Sequence, residues 1–116
     1  MAIYENKGRY LLMKPSEAYS EESYKKAIRE ARALCEQHGL TKILADIRER
    51  TEYIPAAERF EIGVEIATIL GSKIQFAILA PSAIIDKLGE NAAVNRGGKV
   101  FVTDSRIKAL KWLGVE

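Results

Sequence analysis

The chain has 116 residues and a mass of 13.0 kDa, enough for one domain with its own hydrophobic core. Hydrophobic residues make up 47% and charged residues 29% of the sequence, a balance typical of a folded protein and not of a disordered one. Eighteen basic and sixteen acidic side chains, spread over the whole length, give a net charge of +2; this argues against a dedicated nucleic-acid binder, which would concentrate its Lys and Arg.

Two short extended segments are predicted at the start of the chain. They cover residues 2–6 and 9–14 and are separated by Lys7 and Gly8, which favour a hairpin turn. We therefore expect an antiparallel pair of strands here.

The clearest helix is predicted over residues 20–38. Ser20 can cap its first turn, and Glu21 and Glu22 place negative charge where the helix dipole favours it. Gly39 can adopt the left-handed conformation that ends a helix. The apolar residues of this helix follow 3.6-residue spacing and form one stripe: Tyr24, Ala27, Ile28, Ala31, Leu34 and Cys35.

Strands and helices alternate along the rest of the chain. Three further apolar strands are predicted at 41–47, 73–80 and Lys99–Thr103. Helical patterns fill the intervals at 55–70, 83–95 and 105–113. Asp104 is the expected cap of the last helix. Because strands joined by helices pair in parallel, we predict one α/β domain over residues 1–116, with a mixed sheet of about five strands and about four helices.

The helix predicted at 55–70 is more apolar than packing on a sheet requires. Its three glutamates fall in one narrow strip, whereas apolar residues occupy an arc of about 220°. A helix lying on a sheet needs an apolar stripe of little more than about 100°. We therefore expect something besides the sheet to cover this helix. Its candidate interaction surface consists of Phe60, Ile62, Ile66, Ile69 and Leu70.

Three explanations remain open for what buries this apolar surface. A neighbouring helix of the same domain is the simplest. A partner protein is the second, most directly a second copy of the chain in a homodimer. An apolar ligand or a membrane surface is the third. Gly63 lies within this helix and permits the close approach of another element.

Residues suited to catalysis are sparse, and we predict none and no enzymatic activity. Asp46 ends a predicted strand, where functional residues gather in open α/β sheets, but a hydrogen-bonded structural role is the simpler interpretation. The following loop could offer Arg48 and Arg50 to an anion, or Thr51 to a kinase, or be a solvated connection. The sequence nominates no nucleophile or acid to work with His38.

The single cysteine and single histidine limit metal chemistry and indicate a compartment. They exclude an intramolecular disulfide and a multi-cysteine zinc site, and we predict neither metal nor cofactor. Cys35 is expected to be an inert core residue. The start of the chain lacks the apolar stretch of a signal peptide, and no apolar run is long enough to span a bilayer, so we expect a cytoplasmic protein.

A basic cluster lies near the end of the sequence, where Asp104 is the one acid among five basic side chains and Trp112 is adjacent. This cluster could contact an acidic partner or an anionic membrane surface, or it could be a solvated helix face with Trp112 packed on the core. Its basic residues are Arg96, Lys99, Arg106, Lys108 and Lys111.

Four segments carry a resemblance to a known family: 41–47, the apolar helix at 60–70, 76–80, and above all 99–113 (KVFVTDSRIKALKWL). In element order, over essentially the whole chain, they resemble a STAS-type domain. The closing strand and the helix ending in Ala-Leu-x-Trp-Leu are similar to the SpoIIAA-like branch, a group of short stand-alone bacterial proteins.

This resemblance implies a role in protein binding. STAS relatives include anti-sigma-factor antagonists, which bind protein partners and are switched by phosphorylation within an Asp-Ser-Ser/Thr-Gly type motif. The matching stretch here, residues 46–51 (DIRERT), lacks that motif, so no phosphorylation site is carried over to Thr51. SpoIIAA-like domains also resemble the CRAL-TRIO lipid-binding architecture.

From residues and resemblance together, we expect a non-enzymatic regulatory module that binds a protein partner or self-associates through the helix at 55–70. A binder of a small apolar or lipid-like ligand is the alternative, and a phospho-accepting switch is a third possibility.

Overall fold

The predicted strands form one mixed sheet in a computed structural model of the chain, which describes residues 2–15, 20–49, 54–85 and 87–115. The strands are β1 (Ala2–Asn6), β2 (Leu11–Pro15), β3 (Lys42–Asp46), β4 (Gln75–Leu79) and β5 (Lys99–Thr103). They lie side by side in chain order. The first pair is antiparallel and every later pair is parallel, which confirms the predicted arrangement.

Within the described residues, four α-helices complete the predicted α/β fold. They are α1 (Glu21–His38), α2 (Ala56–Leu70), α3 (Leu88–Val94) and α4 (Arg106–Leu113). The first three pack on one face of the sheet, and α4 packs on the other. This division follows from the strand order, because right-handed connections between successive parallel strands keep their helices on one side.

Side chains that alternate along the strands build two cores. In β3, Ile43 belongs to the core between the sheet and the layer formed by α1, α2 and α3 (the three-helix layer). The next residue, Leu44, belongs to the core between the sheet and α4. The central strands are therefore buried on both faces, which explains why β4 and the residue after it, Phe76 to Ala80, form a continuous apolar run.

The N-terminal hairpin turns slightly later than the sequence predicts. The backbone N–H of Lys7 donates to the carbonyl oxygen of Tyr10, which closes a turn through Gly8 and Arg9. Gly8 has φ +92°, a value that glycine adopts readily. Because residues 9 and 10 belong to this turn, β2 begins only at Leu11.

The predicted helix ends are confirmed at α1 and shifted at α4. Ser20 and Ser23 form a reciprocal capping box at the start of α1, and Gly39 ends it in the left-handed conformation. At α4 the cap is Ser105, whose hydroxyl accepts from the backbone N–H of Lys108. The expected cap was Asp104, one residue earlier.

The helix predicted at 83–95 is divided into two pieces. A short 3-10 turn, Ser82–Ile84, precedes α3, and Ile85 between them is extended. Lys87 has φ +66°, a left-handed conformation that an α-helix does not continue. Apolar spacing could not reveal this break because it follows from the backbone and not from the side-chain pattern.

The close packing of α2 against α3 depends on two glycines. A Cβ atom on Gly63 would overlap the carbonyl oxygen of Gly89 and lie 2.9 Å from the Cβ atom of Ala92. A Cβ atom on Gly89 would lie 3.0 Å from the carbonyl oxygen of Arg59. The two backbones can approach this closely only because both positions lack a side chain, as the sequence predicted for Gly63.

We expect Gly63→Ala to lower the free energy of unfolding by about 1–3 kcal/mol, because the added methyl group forces the two helices apart. Helix propensity alone predicts the opposite sign, since alanine favours a helix interior by about 1 kcal/mol over glycine. Urea unfolding measures the difference. The control is Thr68→Ala at an exposed position of the same helix, with a change within about 0.5 kcal/mol. Equal stability of Gly63→Ala and the wild type would contradict the close approach.

Candidate interaction surface

The five apolar residues that we predicted as an interaction surface occupy two different environments. Ile66 is only 3% exposed, and Ile69 and Leu70 are also buried, all three within the core between α2 and the sheet. Phe60 and Ile62 are half-buried. Three of the five therefore lie in the core and not at the surface, while a contribution of Phe60 and Ile62 to binding stays a prediction.

The apolar arc of α2 is covered by its neighbours in the same chain. On one side α3 crosses at the two glycines, and the guanidinium of Arg96 lies 4.9 Å from the centre of the Phe60 ring. On the other side α1 approaches, and the guanidinium of Arg32 donates to the carbonyl oxygen of Ile69 at 2.8 Å. The packing thus supports a neighbouring helix of the same domain as the explanation of this arc.

Large exposed apolar side chains lie elsewhere. Among the described residues, they are Ile3 of β1 (62% exposed), Val94 at the end of α3 and Ile107 of α4 (69% exposed). Ile3 shares the α4 side of the sheet, because it pairs with Lys14, which alternates with the core residue Met13. Two of the three are therefore on the side of the sheet where α4 packs.

The orientation of α4 explains why Ile107 is exposed. Ala109 and Leu113 are buried against the sheet, and Trp112 stacks on Phe101 of β5 with ring centres 5.6 Å apart. At 100° per residue, Ile107 then points away from the sheet. This arrangement places Trp112 on the core, as the simplest interpretation of the sequence expected, and leaves the isoleucine without cover from the described part of the chain.

The exposed side of α4 carries only positive charge. Arg106, Lys108 and Lys111 are all exposed, and α4 contains no acidic residue. We call these three residues together with Ile107 the α4 surface. The positive character continues beyond the helix, where Arg9 donates to the carbonyl oxygen of Gly114 at 3.2 Å.

The fold divides the basic cluster that lies near the end of the sequence. Arg96 lies after α3 on the opposite side of the sheet, where it packs over Phe60, and Lys99 opens β5. The remaining three members belong to the α4 surface. The basic cluster is therefore smaller in the structure than closeness in sequence predicts. The sequence did not indicate that Ile107, which lies between its remaining members, would be exposed.

An ion pair occupies the carboxyl end of β3. Arg48 donates to both carboxylate oxygens of Asp46, at 3.1 Å from Nε to Oδ1 and 2.9 Å from Nη2 to Oδ2, and its backbone N–H also donates to Oδ1 at 3.1 Å. Burial raises the pKa of Asp46, but the hydrogen bonds and charge of Arg48 outweigh this effect, so the pKa lies below its usual value. These contacts support the structural interpretation of Asp46.

The other residues considered for chemistry are dispersed. Arg50 and Thr51 lie outside the described residues. His38 is exposed at the end of α1, and Cys35 is completely buried, which raises the pKa of its thiol to about 11. Such a thiol is unreactive at neutral pH.

Holding a metal ion and crossing a membrane each require a particular arrangement of residues. In the described ranges, no three or more His, Cys, Asp or Glu side chains group closely enough to hold a metal ion. Across those same ranges, no helix combines the length and the apolar character needed to cross a membrane. Comparison of the sequence with protein-family models and with curated proteins found no match.

We expect Asp46→Asn to destabilise the chain at pH 7 but much less in acid. The folded-state pKa of Asp46 is lowered, so its contribution to stability is present above the unfolded pKa of about 3.9 and is lost as the pH falls through the folded value. Urea unfolding of wild type and variant between pH 7 and pH 3 measures the difference. The control is Asp104→Asn, at an exposed aspartate that follows β5 at the same carboxyl end of the sheet. A pH-independent difference for Asp46→Asn would contradict the ion pair.

We expect Ile66→Glu to abolish cooperative folding at pH 7, because a carboxylate without a partner in the core costs several kcal/mol. Ile107→Glu, at the exposed position on α4, should leave the fold intact. Circular dichroism and thermal melting distinguish the two variants. A folded Ile66→Glu chain would show that α2 does not face the core as described.

Proposed function

We propose that this chain is a non-enzymatic, STAS-like interaction module that binds an acidic protein partner through the α4 surface. The observation that carries the proposal is the environment of Ile107, a 69% exposed isoleucine on a helix whose charged residues are all basic. Burying such a side chain contributes about 1.5–3 kcal/mol, enough to anchor an interface.

The surrounding charges favour an acidic partner. Arg106, Lys108 and Lys111 are exposed and would meet carboxylates at the rim of such an interface, where charges steer association and fix orientation. A second copy would bring the same three positive charges against them. The α4 surface is therefore suited to a different protein and not to self-association.

The packing of α4 favours a protein over a membrane. A helix that binds at a membrane interface buries a wide apolar face in the lipid. Here that face is already committed, because Ala109 and Leu113 are buried against the sheet. One projecting isoleucine suits a pocket on a partner protein better than a lipid surface.

The proposal can be tested with a displayed library of random peptides selected against the wild-type chain. We expect the enriched peptides to be acidic and to share an apolar residue that packs against Ile107. Calorimetry with a synthetic enriched peptide should show that Ile107→Asp weakens binding about thirtyfold and that Lys108→Glu/Lys111→Glu weakens it about tenfold. Affinity should also fall as salt is added.

The matched control is Lys26→Glu/Arg29→Glu, which makes the same change in net charge at exposed residues of α1, on the opposite face of the sheet from α4. It should bind the peptide like the wild type. Enriched peptides without acidic residues, or equal loss of binding in both double variants, would contradict the proposal. Binding to phosphatidylserine vesicles in place of peptides would also overturn it.

A further inference from the structure

Each of the four parallel strands, β2 to β5, has a basic residue at or just before its start. Because the amino ends of parallel strands meet at the same end of a sheet, these four cations form a row there. Neighbouring strands are about 4.8 Å apart, so the row extends over about 14 Å. We call this row the amino-end rim, and its members in strand order are Arg9, Lys42, Lys73 and Lys99.

The charges of the rim are not neutralised by the described part of the chain. The ion pairs among the described residues involve other cations. Glu5 of β1 pairs with Lys7, and Asp46 and Asp104 lie at the opposite, carboxyl end of the sheet. Three of the four rim residues are exposed, and Lys42 is half-buried. The rim can therefore attract negative charge from another molecule.

Two rim residues lie on the same side of the sheet as α4. Side chains alternate along a strand, and Leu44 packs towards α4, so Lys42, two residues earlier in β3, lies on that side as well. Lys99 is likewise two residues before Phe101, which stacks on Trp112 of α4. Lys99 is thus outside α4 but next to the α4 surface.

The C-terminal end of α4 lies directly against the rim. Arg9 donates to the carbonyl oxygen of Gly114 at 3.2 Å, and the ammonium group of Lys42 is 3.4 Å from the position that a Cβ atom on Gly114 would take. Carbonyl groups at the end of a helix favour cations beside them. Lys111 belongs to the last turn of α4, so positive charge continues from the α4 surface to the rim.

The dimensions of this combined surface suit an extended peptide. Arg106 and Lys111 are five residues apart, which is about 7.5 Å along a helix. An extended peptide advances about 3.3 Å per residue, so two or three residues cover the α4 surface and about four more cover the rim. One acidic segment of moderate length can therefore contact both.

We propose that the acidic segment of the partner continues past the α4 surface and across the amino-end rim. This inference rests on the proposed function, because the α4 surface is the point from which the segment continues. It specifies the partner as a protein with an extended acidic stretch of about six residues beside an apolar one. Ile107 favours a protein over a nucleic acid, since a phosphate backbone offers no apolar group to pack against it.

The test uses an enriched peptide from the display experiment, trimmed to the shortest form whose binding still depends on Ile107. Calorimetry compares this core peptide with two longer forms, which carry four added aspartates at the N-terminus or at the C-terminus. We expect one of the longer forms, depending on the direction of the bound peptide, to bind about tenfold more tightly because its carboxylates meet the rim. Lys73→Gln/Lys99→Gln should remove most of this gain and leave binding of the core peptide and the circular dichroism nearly unchanged.

The matched control is Lys26→Gln/Arg29→Gln, which removes the same charge from exposed positions of α1 on the opposite face of the sheet. It should keep the tenfold gain. Equal affinities of the three peptides, or equal loss of the gain in both double variants, would overturn the inference and leave the proposed function standing. The absence of any acidic peptide that depends on Ile107 would overturn both. Tighter binding of an eight-nucleotide single-stranded DNA than of the longer peptides would assign the rim to nucleic acid and also overturn the inference.

Discussion

The contact between the backbones of Gly63 and Gly89 is the constraint on which the arrangement of the helices depends. Because neither residue has a side chain, α3 can lie directly on α2 and cover an apolar arc that the sheet cannot reach. The apolar residues of α1, α2 and α3 on this face of the sheet are thereby packed against one another within one chain. Exposed isoleucines are found on the other side of the sheet, where a single helix, α4, covers only part of the surface.

Much of the fold could be predicted because local pattern and tertiary structure agree. Apolar runs and 3.6-residue spacing gave the five strands and four helices, and the parallel order followed from their alternation. The errors are local. Ser105 and Asp104 are both good caps, and composition does not decide between adjacent candidates. The break before α3 depends on the left-handed backbone of Lys87, which apolar spacing does not report.

The exposure of individual apolar residues was harder to predict than the fold. A helical projection of α2 shows how wide its apolar arc is, but it does not show which neighbour lies on each part of that arc. Ile66 and Ile107 are both isoleucines within α-helices. Only the packing shows that Ile66 is in the core and that Ile107 is in solvent. Likewise, the exposure of Ile3 depends on strand register and on which strand forms the edge, and these are properties of the whole sheet.

The lysine beside β5 also bears on whether chains can join strand to strand. Polymers such as amyloid fibrils require that every added subunit present a fresh strand to the next one. In this molecule the ammonium group of Lys87 donates to the carbonyl oxygen of Val102 in β5, so an approaching strand would have to displace it. Strand pairing at β5 therefore competes with a contact inside the chain, which disfavours fibre growth from this edge.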